Sequence, residues 1–169
     1  MHGFTEIGVN ELKRDPFDMI GKQWMLVTAG DESGYNTMTA SWGAMGVIWS
    51  KDVTHCYIRP QRHTCGYMDT NDYYTLSFFS EDYRRALAYC GKYSGRDVDK
   101  AKECGLTPVY ENGYTYFAEA ETVIVCRKLY KQQFDPSCII DAQIDEKNYP
   151  EKDYHYHFIG EIVKVLKSE

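Results

Sequence analysis

The chain has 169 residues, 43% hydrophobic and 26% charged, a globular balance that excludes intrinsic disorder and points to one domain over 1–169. Lys and Arg number 19 against 25 Asp and Glu, a formal net charge of −6; such a chain has no electrostatic footprint for nucleic acid or an anionic membrane surface. No apolar run reaches the ~18–20 residues of a spanning helix, and the first residues, Met1 to Glu6, show neither the basic region nor the apolar stretch of a secretory signal, so a cytoplasmic chain is expected.

Residues 23–29 form a short apolar run closed by Gly30-Asp31-Glu32-Ser33-Gly34, a strand and its turn. Residues 36–42 and 44–50 read as further strands, with Gly43 and Gly46 as bulges or points of close approach. Residues 53–59 alternate and stop at Pro60. Thr64 then reads as the cap of a short helix over 65–70. Residues 73–80 alternate again, and Ser80-Glu81-Asp82 opens a helix over 82–91 with an acidic first turn suited to the dipole. A turn at 91–95 leads to a short helix over 97–103, ended by Gly105. The stretch 114–131 is the longest β-type run, 132–152 is a polar surface segment with Pro136 and Pro150, and 154–166 is the last strand.

Strands without alternating helices exclude a βαβ sheet. The expectation is an antiparallel, mainly β protein with two or three short rim helices, closed or nearly closed into a small barrel that protects its edges. Fifteen Tyr, seven Phe and three Trp favour such pleated, half-buried surfaces. The six cysteines, at 56, 65, 90, 104, 126 and 138, include no C-x-x-C pair and are expected as free, mostly buried thiols.

Four segments carry candidate chemistry. Asn36 to Gly46 combines small side chains, hydroxyls and Trp42; it reads either as a strand that lets a flat ligand reach the backbone or as one crowded by a neighbour's rings. Arg59-Pro60-Gln61-Arg62-His63-Thr64 puts two guanidinium forks beside a helix start, an arrangement suited to phosphate, or else two arginines answering the carboxylate surplus. The Gly91 to Lys100 turn is rich in glycine and cations but lacks the Walker A spacing. His155 and His157, two apart on one strand, have no third ligand at fixed spacing, so no metal site is expected.

The ordered set Asn36-x-Met38-Thr39-Ala40-Ser41-Trp42-Gly43, Arg59-Pro60-x-Arg62-x-Thr64, Leu76-Ser77-Phe78-Phe79, Ser94-Gly95-Arg96-Asp97-x-Asp99-Lys100 and Gly160-Glu161 resembles the flavoredoxin-type branch of the flavin reductase family, over about residues 20–166. The resemblance implies an FMN-binding, Greek-key split barrel working as a homodimer with FMN near the subunit interface. It implies that Asn36 and Thr39, Ala40, Ser41 and Trp42 line the isoalloxazine ring. Arg62 and Thr64, with Arg59 nearby, would hold the phosphate, and Ser94, Gly95 and Lys100 would close over the ribityl-phosphate end. His155 is the position it offers as catalytic, facing flavin or nicotinamide; His157 has no counterpart, and His63 stands where the family often has Tyr. The implied function is an oxidoreductase passing reducing equivalents from NAD(P)H through FMN to flavin, ferric iron or a protein acceptor. The alternative is a non-catalytic FMN electron carrier with a redox protein partner. In either case the cofactor carries the redox chemistry and the protein binds and orients it, which needs no acid–base dyad.

Overall fold

The structure, a computed structural model, describes residues 3–169; Met1 and His2, part of the segment read for a secretory signal, lie outside them. Its strands are β1 (Phe4–Ile7), β2 (Met25–Asp31), β3 (Gly34–Ala40), β4 (Gly43–Ile48), β5 (Lys51–Ile58), β6 (Tyr73–Phe78), β7 (Pro108–Glu111), β8 (Tyr114–Phe117), β9 (Thr122–Gln133) and β10 (Tyr156–Ser168). The main sheet is antiparallel, ordered β3-β2-β6-β9-β10-β5-β4, with β1 added to β10. β10 is long enough to serve two neighbours on one edge: residues 156–161 pair with β5 and 165–168 with β1. Its register with β9 shifts at Ile159/Gly160 and at Ile162/Lys164, bulges that bend the strand around the core. Gly160 has a second reason to be glycine, since a Cβ there would sit 2.3 Å from the Tyr74 hydroxyl.

Hydrophobic packing lies on both faces of this sheet. Val27, Ile58, Leu76, Phe78, Ile124 and Phe158 fill one core. Leu26, Phe79, Leu87, Phe117, Val123 and Val125 fill the other, under α2 (Arg84–Lys92) and the β7-β8 hairpin. Neighbouring residues of β2 and β9 thus go to opposite cores, as the two-residue period of a strand requires.

The barrel is split, not closed. Among the described residues β3 bonds only to β2, and β4 only to β5. Ser41 and Trp42 alone link them, so the chain passes from one end of the sheet to the other in two residues, leaving two free strand edges.

Other elements differ from the sequence reading. The 114–131 run is broken at 118–121 into β8 and β9, because β8 folds back on β7 through Asn112-Gly113, both at positive φ; that pair is a hairpin signal. Residues 132–152 are more ordered than expected: β9 continues to Gln133, and the Asp141 carboxylate caps α4 (Ala142–Asn148) by accepting from the Gln143 N–H. With α1 (His63–Thr70) and α3 (Lys100–Cys104), the described residues hold four short α-helices instead of two or three. β1 was not foreseen. Gly43 is a close-approach point, where a Cβ would meet the His55 carbonyl oxygen at 2.9 Å, but the space at Gly46 is open. All six cysteines are free, four of them buried.

Candidate functional site

The site is built on the β3 edge and the start of α1. Along β3 the side chains of Asn36, Thr37 and Met38 are buried, and exposure rises through Thr39, Ala40 and Ser41 to Trp42. Because β3 has a single partner strand, its outer edge keeps backbone groups that no ladder satisfies. The Lys100 ammonium takes one of them, donating to the Thr37 carbonyl at 2.7 Å.

α1 starts two residues earlier than the sequence suggested. Arg62, in extended conformation, is its cap residue, and Thr64 lies inside the first turn. The Thr64 side chain is completely buried, and its hydroxyl accepts from the Asn36 amide at 2.7 Å. The expected helix-capping role of Thr64 is therefore replaced by a buried bond that fixes Asn36.

Arg62 and Lys100 converge on the carbonyl end of α2. Arg62 donates to the Gly91 and Cys90 carbonyls at 2.8 and 3.4 Å, and Lys100 donates to the Cys90 carbonyl at 2.8 Å. The C-terminus of a helix carries about half a negative charge, so two full cations there are under-compensated. Among the described residues neither makes an ion pair with a carboxylate. Burial pushes the Lys100 ammonium down to about 8, with nearby Arg62 adding to the shift. Burial likewise lowers the affinity of Arg62 for its proton.

Arg59 behaves differently. It pairs with Asp153 at 2.7 Å, donates to the Asn148 carbonyl at 2.8 Å and lies 5.2 Å over the Tyr149 ring. Of the two arginines singled out in the sequence, one answers the carboxylate surplus and one does not.

These residues line linked cavities. One, of about 270 Å³, is walled by Thr39, Ala40, Ser41, Trp42, Arg59, Arg62 and His155, together with Tyr57. A second, of about 90 Å³, is walled by Asn36, Arg62, Ser94, Gly95 and Lys100. Arg62 stands between them. The structure thus brings together every residue expected at the site except Thr64, which sits behind Asn36 and lines neither cavity. Gly95 is packed so closely that a Cβ would fall 1.8 Å from Asn36 Oδ1. This contact holds the Ser94-Gly95 turn against the β3 edge.

His155 lies just before β10, buried, with Nδ1 2.8 Å from the Tyr149 hydroxyl and its ring 5.4 Å from that of Trp42. Burial, aided by the Arg59 cation, drops it to about 4, so it is a neutral imidazole at pH 7. His157 belongs to another cluster: its Nε2 is 2.7 Å from His55 Nδ1 and the two rings stack. Burial holds both below the usual imidazole range. No group of three or more metal-ligating side chains occurs among the described residues.

Sequence reasoning missed Tyr57, Tyr149 and Asp153. Tyr57 stands two residues before Arg59 on β5, a period-2 relation that could have found it. Tyr149 comes from the 132–152 segment read as polar surface and Asp153 directly follows it, and only the tertiary fold brings them in. No helix among the described residues is long and apolar enough to cross a membrane.

Split sheet, free edge and cation-lined cavities together define a flavin-reductase-type split barrel. The chain belongs to the flavin reductase like domain family, whose family model matches residues 17–169. Solved structures share the fold. A flavoredoxin from Methanosarcina acetivorans is 19% identical, with 87% of this chain and 69% of that chain covered and a TM-score of 0.69. A flavoredoxin of Desulfovibrio vulgaris is 23% identical, covering 94% and 75% with a TM-score of 0.66. The NADH:FAD oxidoreductase SgcE6 of Streptomyces globisporus is 16% identical, covering 86% and 74% with a TM-score of 0.65. A search of curated proteins gave no match.

Proposed function

We propose that this chain binds FMN and works as an oxidoreductase, passing reducing equivalents from NAD(P)H to flavin, ferric iron or a protein acceptor. The observation that carries the reading is the pairing of the buried Lys100 with the half-buried Arg62, whose two positive charges meet only backbone carbonyls among the described residues. A phosphate monoester supplies the missing anion, and the guanidinium fork suits its oxygens. The donor set and the close turn at Gly95 fit that group. Arg62 and Lys100 would grip the phosphate, the Ser94-Gly95 turn would cover the ribityl end, and Thr39 to Trp42 would offer edge backbone groups to the rings. When bound, FMN supplies the redox chemistry. His155, neutral and tied to Tyr149, offers Nε2 as a hydrogen-bonding group beside Trp42 and does not act as an acid at neutral pH. The family's name and the NADH:FAD oxidoreductase among the similar folds support NAD(P)H as donor. The flavoredoxins among them support the alternative of a carrier that passes electrons to a protein. Exposed Val47, Ile48 and Trp49 at the free β4 edge support a homodimer.

Titration of the purified protein with FMN, followed by flavin fluorescence, tests the reading. Binding is expected, and Arg62→Ala should weaken it about 10- to 100-fold, the loss of one charge-assisted bond of roughly 1.5–3 kcal/mol. No FMN uptake, or an unchanged Kd for Arg62→Ala, refutes it. With FMN bound, rapid NAD(P)H oxidation with a ferric complex marks the enzyme, and slow oxidation with a reducible flavin marks the carrier.

A further inference from the structure

Cys90 on α2 and Cys104 at the end of α3 face each other with their sulfurs 3.8 Å apart. A disulfide needs about 2.0 Å, a further approach within what one χ1 rotation moves a sulfur. The two differ in access: Cys90 is sealed from solvent, whereas Cys104 is half-buried and reachable. Cys56 and Cys126, by contrast, are both sealed in the core. Protonation is graded in the same sense. Burial raises both thiols, Cys90 to about 12, and the neighbouring Cys104 raises Cys90 further. Cys104 is pulled back by the hydrogen bond from Cys90 and by the Lys100 cation. The sulfur that ionises first is therefore the one a reagent can reach.

We propose that Cys90 and Cys104 form a reversible disulfide site whose substrates are low-molecular-weight disulfides. The Cys104 thiolate attacks one sulfur of such a molecule, making a mixed disulfide and expelling the first thiolate. Cys90 then attacks the Cys104 sulfur, and the second departing thiolate takes the Cys90 proton. The pair gives up two electrons and two protons, the small disulfide becomes two thiols, and an external dithiol reverses the exchange. The new bond closes the loop 91–103, which carries Ser94, Gly95 and Lys100 of the 90 Å³ cavity wall. Both ends of the bond already belong to that wall. The Cys90 carbonyl accepts from Arg62 and Lys100, and Lys100 lies one helical turn before Cys104 on α3. Oxidation thus ties down the turn in the position it holds here. The inference stands independently of the proposed function.

Glutathione disulfide is the probe, applied to the native FMN-free chain in a Cys138→Ser background that removes the exposed thiol. The intact mass should fall by two hydrogens, digestion should release a peptide linked through Cys90 and Cys104, and dithiothreitol should restore both thiols. The linked chain should melt about 5–10 °C above the reduced one, as expected for a closed loop of this length. Cys90→Ser should stop at the mixed disulfide, with one glutathionyl group on Cys104, and Cys104→Ser should form no link. The inference falls if no linked peptide forms overnight or if Cys90→Ser carries no glutathionyl group on Cys104. It falls equally if the linked chain melts no higher than the reduced one, since the bond would then strain the fold, or if Cys56 and Cys126 link instead. A chain that forms the bond but takes up no FMN would sink the flavin reading and leave this one standing.

Discussion

Replacing Lys100 by Met keeps the length of the side chain and removes its charge. Lys100 is 5% exposed, and burial with Arg62 nearby brings it from 10.5 to about 8. That drop corresponds to roughly 3 kcal/mol; screening by water in the cavity leaves about 2 kcal/mol as the cost of the charged form. The cost is fully present below about pH 8. Between about 8 and 10.5 the unfolded chain holds a proton that the folded chain has released, so this group makes stability rise with pH through that window. The two carbonyls that lose the ammonium keep a second donor each, Asn36 Nδ2 for Thr37 and Arg62 Nη2 for Cys90, both at 3.4 Å. The FMN-free Lys100→Met chain should therefore be at least as stable as the parent at pH 7, while its FMN affinity falls about 10- to 100-fold. Urea unfolding at several pH values, read as the difference between the two chains, cancels the tyrosines and thiols that titrate in the same range. The reasoning fails if the difference does not narrow between about pH 8 and 10.5, or if Lys100→Met binds FMN as tightly as the parent.

Two further outcomes follow from the same geometry. His155 is neutral when folded, at about 4, and ordinary when unfolded, at 6.5; the unfolded chain binds the extra proton between those values, so stability falls as pH drops through that window, by up to about 3 kcal/mol. His155→Gln should flatten this part of the curve in thermal melts, and an unchanged slope would mean that the ring is hydrated. At the free β4 edge Val47 is 73% exposed; sedimentation should show a dimer for the parent and a monomer for Val47→Asp, and a monomeric parent would remove the case for a second copy there.

The sequence revealed most where local chemistry and tertiary structure agree. β5 alternates because one of its faces is half-buried, and Pro60 marks its end, so its limits were readable to within two residues. β2 and the first half of β9 are buried on both faces, which erases alternation, and the break between β8 and β9 was hidden inside one continuous β-type run. α4 was missed because its stability comes from the Asp141 cap and from packing at the cavity rim; its own residues are mostly polar. At the site, Asn36, Arg62, Ser94, Gly95 and Lys100 were legible as an ordered set of motifs. Asp153 and Tyr149, which decide what Arg59 and His155 can do, were not. Nothing in a linear pattern tells which of two nearby arginines will meet a carboxylate 94 residues away.

That difference between the two arginines bears most directly on function. With 25 acidic side chains against 19 basic ones, an acidic partner is easy to find in this chain. Arg127 and Lys51 share Glu161, Lys164 sits between Glu6 and Glu111, and Arg59 has Asp153. Against this surplus, two adjacent cations, Lys100 buried and Arg62 half-buried, with carbonyls as their only acceptors among the described residues are an expensive arrangement. Burial without a counter-charge costs several kcal/mol per ion, and the end of α2 offsets only part of it. If packing were the sole role of these positions, an apolar residue such as Met would fill Lys100's place at lower cost. Two charges retained there are explained by an anion that arrives from outside the chain, one whose oxygens reach both side chains from the 90 Å³ cavity they share.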